Sequence, residues 1–232
     1  MKVFAISDFH LSINNPKPMN IFGTSWDNYL ETISEDWAKR VSDIDIVLIA
    51  GDISWAMYLE NAVPDLEYIS AFKGSKILLR GNHDYWWKSI SSVRALLPKG
   101  MYALQNDSLK IGDVIFCGSR GWTTPDGKIQ AEADKKIYDR EVIRMELSLA
   151  DADKKRKEGE KLVVMTHYPP FNGRFESSPF TELFKKYGAD AVVYGHLHCG
   201  NSRAEKLLKK DGIVYYLTSC DMVDNKLVEI QL

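Results

Sequence analysis

The chain has 232 residues, of which 45% are hydrophobic and 27% are charged, the composition of an ordinary globular protein. Its 30 Lys and Arg against 32 Asp and Glu give a formal net charge of -2. Composition therefore excludes a collagen-like or disordered chain, and charge argues against a strongly basic surface for nucleic acid or an anionic membrane. The three cysteines, Cys117, Cys199 and Cys220, are far apart and form no Cys-x-x-Cys pair, which argues against a disulfide framework or a zinc finger.

Short apolar runs predict the strands of a layered α/β fold. In chain order they are Val3–Ile6, Ile46–Ile49, Ile77–Leu79, Val114–Cys117, Leu162–Thr166, Ala191–Tyr194, Ile213–Leu217 and Leu227–Ile230. Most are β-branched runs without polar alternation, which is typical of strands buried on both faces. Between them, apolar residues recur at helical spacing, from Leu30 to Val41 and from Tyr138 to Leu149. We interpret Pro64 as the start of a new helix. The alternating order predicts parallel strands with helices packed over them.

The sequence shows no division into parts. No internal repeat and no Gly/Ser-rich linker interrupts it, so we assign residues 1–232 to a single domain. Met1 and Lys2 lead directly into a predicted strand without the features of a signal peptide. The apolar runs are far shorter than the roughly 20 residues of a membrane span. We therefore expect a cytoplasmic protein without a membrane segment. The segments Leu11–Ser25 and Ser119–Ala131 are longer than a connection needs; such loops are either functional or simply tolerant of insertion.

Side chains that can bind a metal follow five of the predicted strands. They are Asp8 and His10, then Asp52, then Asn82, His83 and Asp84, then His167, and finally His196 and His198. The carboxyl ends of parallel strands meet at one edge of the sheet, where ligands of open α/β folds bind. Residues two apart in extended backbone point to the same side, so each Asp-x-His or His-x-His pair can enter one site.

The number and type of these donors predict two metal ions. More donors converge than one four-coordinate ion uses, and a carboxylate can bridge two cations where an imidazole cannot. Metal pairs about 3.5–4 Å apart activate water and clamp the oxygens of an in-line displacement at phosphorus. Mixed imidazole, carboxylate and amide ligands suit Mn, Fe or Zn. A lone histidine is usually a surface or core residue, but all five histidines of the chain lie in these motifs, which favours a common role.

The motifs occur in a recognisable order. Asp8-x-His10, Gly51-Asp52, Gly81-Asn82-His83-Asp84, His167 and Gly195-His196-x-His198 resemble those of the calcineurin-like metallophosphoesterase superfamily. The resemblance extends over Asp8–His198, most of the chain. It implies a four-layer α-β-β-α sandwich, with a dinuclear metal site at the C-terminal ends of the central strands.

The resemblance also implies a role for each matching residue. Asp8, His10 and His198 would bind the first metal, and Asn82, His167 and His196 the second. Asp52 would bridge both, and a hydroxide shared between the ions would attack phosphorus in line. His83 would contact the phosphate and protonate the leaving oxygen as general acid, while Asp84 would hold that imidazole in orientation.

Several neighbouring residues keep two interpretations. Asp84 can instead cap the next helix. Trp86 and Trp87 are either core aromatics or a stacking surface for a substrate base. Arg120 either holds a substrate phosphate or is an ordinary surface arginine. We interpret Cys199 as a packed thiol rather than a ligand.

Differences from subfamily patterns narrow the function. The segment after Gly51-Asp52 lacks the arginine of the Asp-Arg-Gly motif of the related phosphoprotein phosphatases. The balanced charge and the short segment after His198 argue against a repair nuclease with a capping domain. The presence of His83 argues against the lipid-precursor pyrophosphatases.

We therefore predict a metal-dependent phosphohydrolase that cleaves a phosphomonoester or phosphodiester of a small substrate, nucleotide-like substrates included. Two alternatives stay open: a nuclease that acts on nucleic acid ends, and a non-catalytic interaction module on the same fold. The oligomeric state stays open as well.

Overall fold

The computed structural model describes residues 1–127, 131–198 and 204–232, so Cys199 and part of the Ser119–Ala131 loop lie outside the described residues. Within these ranges the strands form two sheets. The first holds β1 (Val3–Ile6), β2 (Ile46–Ile49), β3 (Ser75–Leu79), β4 (Met101–Leu104) and β11 (Val228–Ile230). The second holds β5 (Ser108–Ile111), β6 (Val114–Gly118), β7 (Lys161–Met165), β8 (Ala191–Tyr194), β9 (Leu207–Lys210) and β10 (Ile213–Leu217).

Both sheets are parallel at the centre and antiparallel at the edge. The first has the order β11-β1-β2-β3-β4, and β11 alone runs against its neighbour. The second has the order β5-β6-β7-β8-β10-β9, with antiparallel pairing at both edges. In the parallel pairs, Val3 of β1 lies opposite Ile46 of β2, and Val163 of β7 lies opposite Ala191 of β8.

Five α-helices among the described residues cover the outer faces. On the first sheet lie α1 (Tyr29–Arg40), α2 (Leu59–Ser70) and α3 (Ile90–Leu96); on the second lie α4 (Glu132–Lys155) and α5 (Pro179–Lys186). The α5 helix begins with a capping box, in which the Ser178 hydroxyl accepts from the Thr181 N–H and Thr181 Oγ1 accepts from the Ser178 N–H. None of the helices in the described ranges is long and apolar enough to cross a membrane.

Successive side chains of a strand point to opposite faces of its sheet. One face of each sheet therefore packs on the other sheet and the opposite face packs on helices, which gives four layers. Val3 and Ala5 of β1 point into the core between the sheets, while Phe4 and Ile6 point outward to α1 and α2. The outward residues of the second sheet pack in the same way against α4 and α5. Because both faces of each sheet are covered, the sequences of the central strands are continuous apolar runs. The predicted α-β-β-α sandwich is confirmed.

The structure corrects one predicted helix boundary. Pro64 lies inside α2 and does not begin a new helix. Proline removes one helical hydrogen bond and crowds the preceding turn. The helix continues because Ala62, Leu66 and Ile69 are buried against the first sheet on both sides of the proline, so tertiary packing outweighs the local cost.

The carboxyl ends of both sheets meet at one edge of the sandwich. The Ser7 N–H, just after β1, donates to the Thr218 carbonyl just after β10 at 2.8 Å. Ser7 also forms a parallel bridge with Ser219. The loops that follow the central strands of both sheets are therefore neighbours.

Candidate metal centre

The first group of donor atoms comes from the loops after β1 and β8. Asp8, His10 and His198 each offer a ligand atom, and these atoms lie within 4.8 Å of one another. Asp8 Oδ1 is 3.7 Å from His198 Nε2. These three residues are the set predicted for the first metal.

A second group lies beside it and uses the other sheet ends. Ligand atoms of Asp8, Asp52 and His167 also lie within 4.8 Å of one another. His167 Nε2 is 2.7 Å from Asn82 Oδ1 and 3.4 Å from Asp52 Oδ2. Asp52 Oδ2 is in turn 3.8 Å from His10 Nε2. The Asp52 carboxylate thus lies between the two groups.

His196 is placed less directly than the other predicted ligands. Its ring centroid is 5.1 Å from that of His167 and 4.2 Å from that of Tyr168, but its ring nitrogens belong to neither donor group. Its backbone N–H donates to Asp8 Oδ2 at 3.1 Å. The His196 ring therefore lines the second group, while its backbone supports the first.

Four of the predicted ligands have unusual backbone conformations. The φ angles are 60° at Asp8, 49° at His10, 52° at Asp52 and 71° at His196. The left-handed region is uncommon for residues other than glycine, and such residues cluster at functional sites where the fold enforces them. Here all four residues lie in the loops that directly follow β1, β2 and β8.

Two glycines allow the carboxylates to come close to backbone. A Cβ on Gly81 would collide with the Asp52 carboxylate and its N–H, and a Cβ on Gly195 would collide with the Asp8 carboxylate. The motif glycines are therefore required by space, because the ligand of one strand packs on the backbone of another.

Burial and charge shift the pKa values of the donors in different directions. Burial lowers the pKa of His10 and of His196 to about 3, so both rings are neutral at pH 7 with a lone pair to offer. Burial opposes ionisation of Asp52, but the neighbouring His167 lowers the pKa of that carboxyl below its usual value. Burial likewise opposes charging of His167, but Asp52 raises its pKa to about 9. Burial raises the pKa of Asp8.

Hydrogen bonds to the far side of two rings fix their orientation. His167 Nδ1 is 2.9 Å from the Ala50 carbonyl, which makes Nδ1 the donor and leaves Nε2 facing Asp52. His198 Nδ1 is 3.0 Å from Asp221 Oδ1, and Nε2 faces Asp8. Such outer partners orient metal-binding histidines. Asp221 is not among the residues predicted from sequence, although it follows the same pattern: a carboxylate in the loop after a central strand, here β10.

The donor set fits a cation on a further observation. Asp52 Oδ2 is buried and has no hydrogen-bond partner among the described residues, although buried polar atoms are almost always paired. This atom is the one that lies between His10 and His167. A bound cation would satisfy it and would also offset the two buried carboxylates of Asp8 and Asp52.

His83 lies at the mouth of the donor groups. Its ring centroid is 5.5 Å from that of His10 and 4.8 Å from that of Trp55. Its backbone N–H donates to Asp52 Oδ1 at 2.8 Å. The loop after β3 is thereby tied to the Asp52 carboxylate.

Asp84 does not hold the His83 ring as expected. Its buried carboxylate accepts from the Gly81, Ile53 and Ser54 N–H groups and from Trp86 Nε1, at 2.7–3.1 Å. His83 Nδ1 has no partner among the described residues. Asp84 therefore joins the loops after β2 and β3, because backbone donors saturate its oxygens. Burial, followed by the charge of Asp52, raises its pKa to about 6.

The remaining predicted residues divide between core and rim. Trp86 and Trp87 are fully buried, and their indole N–H groups donate to Asp84 and Gln105, so they are core aromatics and the stacking interpretation is wrong. Arg120 is partly buried; its guanidinium lies over the Trp122 ring at 4.9 Å and 3.8 Å from Glu141. Its carbonyl accepts from the His167 N–H at 3.0 Å.

Comparisons with known proteins agree with this geometry. The family model of the calcineurin-like phosphoesterases matches residues 1–200, which include every predicted ligand. A comparison with curated proteins finds no match.

Among solved structures, the phosphopantetheinyl hydrolase from Mycobacterium tuberculosis is similar over 99% of this chain and 95% of its own, with 13% identity and a TM-score of 0.56. A protein of unknown function from Aquifex aeolicus is similar over 98% and 95%, with 16% identity and a TM-score of 0.48. At such identities, structural similarity concerns the fold alone, whereas the family match covers the motifs themselves. The chain thus belongs to the calcineurin-like phosphoesterases and is a metal-dependent phosphoric ester hydrolase.

Proposed function

We propose that this chain uses two metal ions to cleave a phosphomonoester or phosphodiester of a small substrate. The observation that carries the proposal is the pair of adjoining donor groups, Asp8 with His10 and His198, and Asp8 with Asp52 and His167. Asp52 reaches both groups through Oδ2, which supports it as the bridging ligand. In this proposal Asn82, whose Oδ1 is 2.7 Å from His167 Nε2, and His196, whose ring centroid is 5.1 Å from that of His167, are the further ligands of the second metal. Mn, Fe or Zn suits these ligands.

The chain's own residues prepare the reaction around the metals. When bound, the two cations would supply an activated water and would stabilise charge on the phosphoryl oxygens. Asp8 and Asp52 provide the negative charge that attracts and holds them. His83 is the general acid that protonates the leaving oxygen, and its position beside His10 and Trp55 supports this role.

Asp84 is a positioning residue in this account. It fixes the backbone at Gly81 and Ile53, and these segments carry His83 and Asp52. The general acid and the bridging carboxylate are thereby held in one frame. Its role concerns the loops rather than the imidazole itself.

Arg120 is proposed to hold an anionic part of the substrate at the rim of the second group. It shares the buried Glu141 with Arg144, and Arg80 is close enough to interact electrostatically with these three charges. Burial, followed by repulsion from Arg120, lowers the pKa of Arg80. Such a cluster attracts phosphate or carboxylate groups.

Arg120→Gln tests this role against Arg140→Gln, a change of the same type at an exposed position of α4. We expect the first variant to raise KM for phosphate esters about tenfold, the range of a charge-assisted hydrogen bond, with kcat little changed. The second should leave both constants unaltered. Equal KM values for Arg120→Gln and wild type would remove Arg120 from the substrate site.

The activity is tested with p-nitrophenyl phosphate, bis-p-nitrophenyl phosphate and a labelled oligonucleotide, on protein reloaded separately with Mn²⁺, Fe²⁺ and Zn²⁺. We expect hydrolysis of at least one small ester, lost in Asp52→Asn and retained in the exposed control Asp153→Asn. No turnover with any metal would overturn the proposal and favour a non-catalytic module. Degradation of the oligonucleotide without hydrolysis of a small ester would establish the nuclease alternative.

We also propose that the protein is cytoplasmic and that it consists of a single domain. Cys117 and Cys220 are free, buried thiols, which supports the proposed cytoplasmic location, since reducing compartments preserve thiols. The assignment of residues 1–232 to a single domain stays a prediction.

A further inference from the structure

A cavity of about 340 Å³ opens directly beside the first donor group, within the size range of small-molecule sites. We call it the aromatic pocket. Its walls are Met19, Phe22, Trp26 and Trp55, together with Asp221 and three histidines of the metal centre, His10, His83 and His198. The proposed general acid therefore faces both the reacting phosphate and this pocket.

The inner walls of the aromatic pocket are fixed in place. Trp26 is 4% exposed and packs edge-on against Tyr29, whose hydroxyl donates to the Phe9 carbonyl at 2.9 Å. Trp55 stacks on the His10 ring with centroids 4.7 Å apart and an interplanar angle of 24°. Its indole N–H donates to Met19 Sδ at 3.3 Å. Two rigid indoles thus flank a space next to His10.

The outer wall is apolar and open. Phe22, at the end of the short 3-10 helix Met19–Phe22, is 63% exposed. It lies in the long Leu11–Ser25 loop whose length the fold does not require. An aromatic side chain exposed beside an apolar cavity gains contact area when a ring enters.

The charges of the lining favour a neutral group. No lysine or arginine lines the aromatic pocket in the part of the chain that the structure describes. Its one carboxylate, Asp221, is engaged with His198. Trp55 is already covered by the His10 ring at 4.7 Å and by the Lys17 ammonium at 4.9 Å from its centroid, and Trp26 is 4% exposed. The indoles therefore act as walls of the pocket, and the surface on which a planar uncharged ring can stack is the exposed phenyl ring of Phe22.

We propose that the aromatic pocket binds a nucleobase or similar planar ring on the alcohol side of the ester, so that the preferred substrates are phosphate esters of ring-bearing alcohols. This inference rests on the proposed function and names its substrate class. Recognition comes from stacking rather than from hydrogen bonds to base edges, so purine and pyrimidine nucleotides should be accepted alike.

The proposal is tested with adenosine 5′-monophosphate and ribose 5-phosphate. Both carry the phosphate on the same primary carbon, so they differ in the base and not in the bond that is cleaved. We expect kcat/KM to favour the nucleotide about tenfold, the effect of one stacked base, mainly through KM. Comparing kcat/KM for benzyl phosphate and ethyl phosphate tests whether an aromatic ring outside a nucleoside is preferred in the same way. Equal rates within both pairs would overturn the proposal.

Phe22→Ala identifies the pocket as the source of the preference. This variant should reduce the preference for adenosine 5′-monophosphate to about twofold or less, as expected if one stacking surface is removed. Ile143→Ala, at a 60% exposed position of α4, is the matched control and should keep the wild-type preference. A preference that survives Phe22→Ala undiminished would assign the base to another surface.

A binding measurement separates this proposal from the proposed activity. Adenosine and ribose are titrated into the protein while tryptophan emission is recorded. Quenching by adenosine alone, weakened in Phe22→Ala, would support the pocket even if no ester were hydrolysed. Hydrolysis without adenosine binding or any preference for rings would leave the phosphohydrolase standing and remove the pocket.

Discussion

His83 is the proposed general acid, and its surroundings separate that proposed role from metal binding. Its backbone N–H is tied to Asp52, while its ring lies between His10, Trp55 and the opening of the aromatic pocket. Its ring nitrogens belong to neither donor group among the described residues. A substitution of this ring should therefore change proton transfer and leave the metals in place.

We expect His83→Ala to reduce kcat for an alkyl phosphate by about 10²-fold or more, the usual contribution of a general acid. With p-nitrophenyl phosphate the loss should stay below about tenfold, because p-nitrophenolate leaves without a proton. Steady-state kinetics on both esters, with metal content measured by elemental analysis, check this. Equal losses on both esters at equal metal content would show that His83 is not the acid.

Asp221 acts through another residue. Its Oδ1 lies 3.0 Å from His198 Nδ1, so it orients the ring that faces Asp8. We expect Asp221→Asn to weaken Mn²⁺ binding about 10–100-fold, as for other outer partners of metal-binding histidines. Competition with a chelator measures the affinity. Asp211→Asn, an exposed turn position whose left-handed φ of 52° suits asparagine, is the control; equal affinity in both variants would show that Asp221 has no part in the centre.

The turns that follow the strands place the donor side chains at the edge of the sheets. A left-handed residue or a glycine follows β1, β2, β3 and β8 within three residues of the strand end, and the predicted ligands of these loops lie at or beside it. Close packing between these turns explains why glycine stands at 81 and 195. Helices contribute from behind, because their buried faces hold the strands whose ends carry the ligands.

Gly81→Ala tests this packing. Its added Cβ would collide with the carboxylate and N–H of Asp52, so we expect a loss of stability of about 1–3 kcal/mol together with weakened Mn²⁺ binding. Gly173→Ala is the control, since a Cβ there meets nothing within 4 Å. Denaturant unfolding and metal titration of both variants decide the point. Unchanged metal affinity in Gly81→Ala would show that the turn does not position Asp52.

Sequence patterns predicted most strands of this molecule, and they singled out the residues of the two donor groups. Buried strands such as Val3–Ile6 and Ala191–Tyr194 match the predicted boundaries, because β-branched runs bounded by turn residues leave little ambiguity. The short strands Met101–Leu104 and Ser108–Ile111 were missed. They lie at sheet edges, where one side lacks a partner and the apolar pattern weakens.

Contacts between distant loops were beyond prediction from sequence. Asp84 precedes a tryptophan pair as a capping residue would, yet its oxygens are taken by backbone donors of two loops. Trp26 and Trp55 are separated in sequence and share a pocket only because β1 and β2 are neighbours. Such pairings depend on which loops the fold brings together, and local patterns do not encode that.

The whole molecule brings the centre together from two sheets. Asp8, Asp52 and Asn82 come from the first sheet, while His167, His196 and His198 come from the second. The hydrogen bond from Ser7 to Thr218 joins the two edges beside the ligands. The donor groups therefore form only when the two sheets pack together, because their residues come from both sheets.

Anomalous diffraction from crystals grown with Mn²⁺ tests the two-metal claim most directly. We predict two peaks about 3.5–4 Å apart, one against Asp8, His10 and His198 and the other against Asn82, His167 and His196, with Asp52 in contact with both. A single peak between the sheets, or peaks that leave Asp52 without a metal, would contradict it.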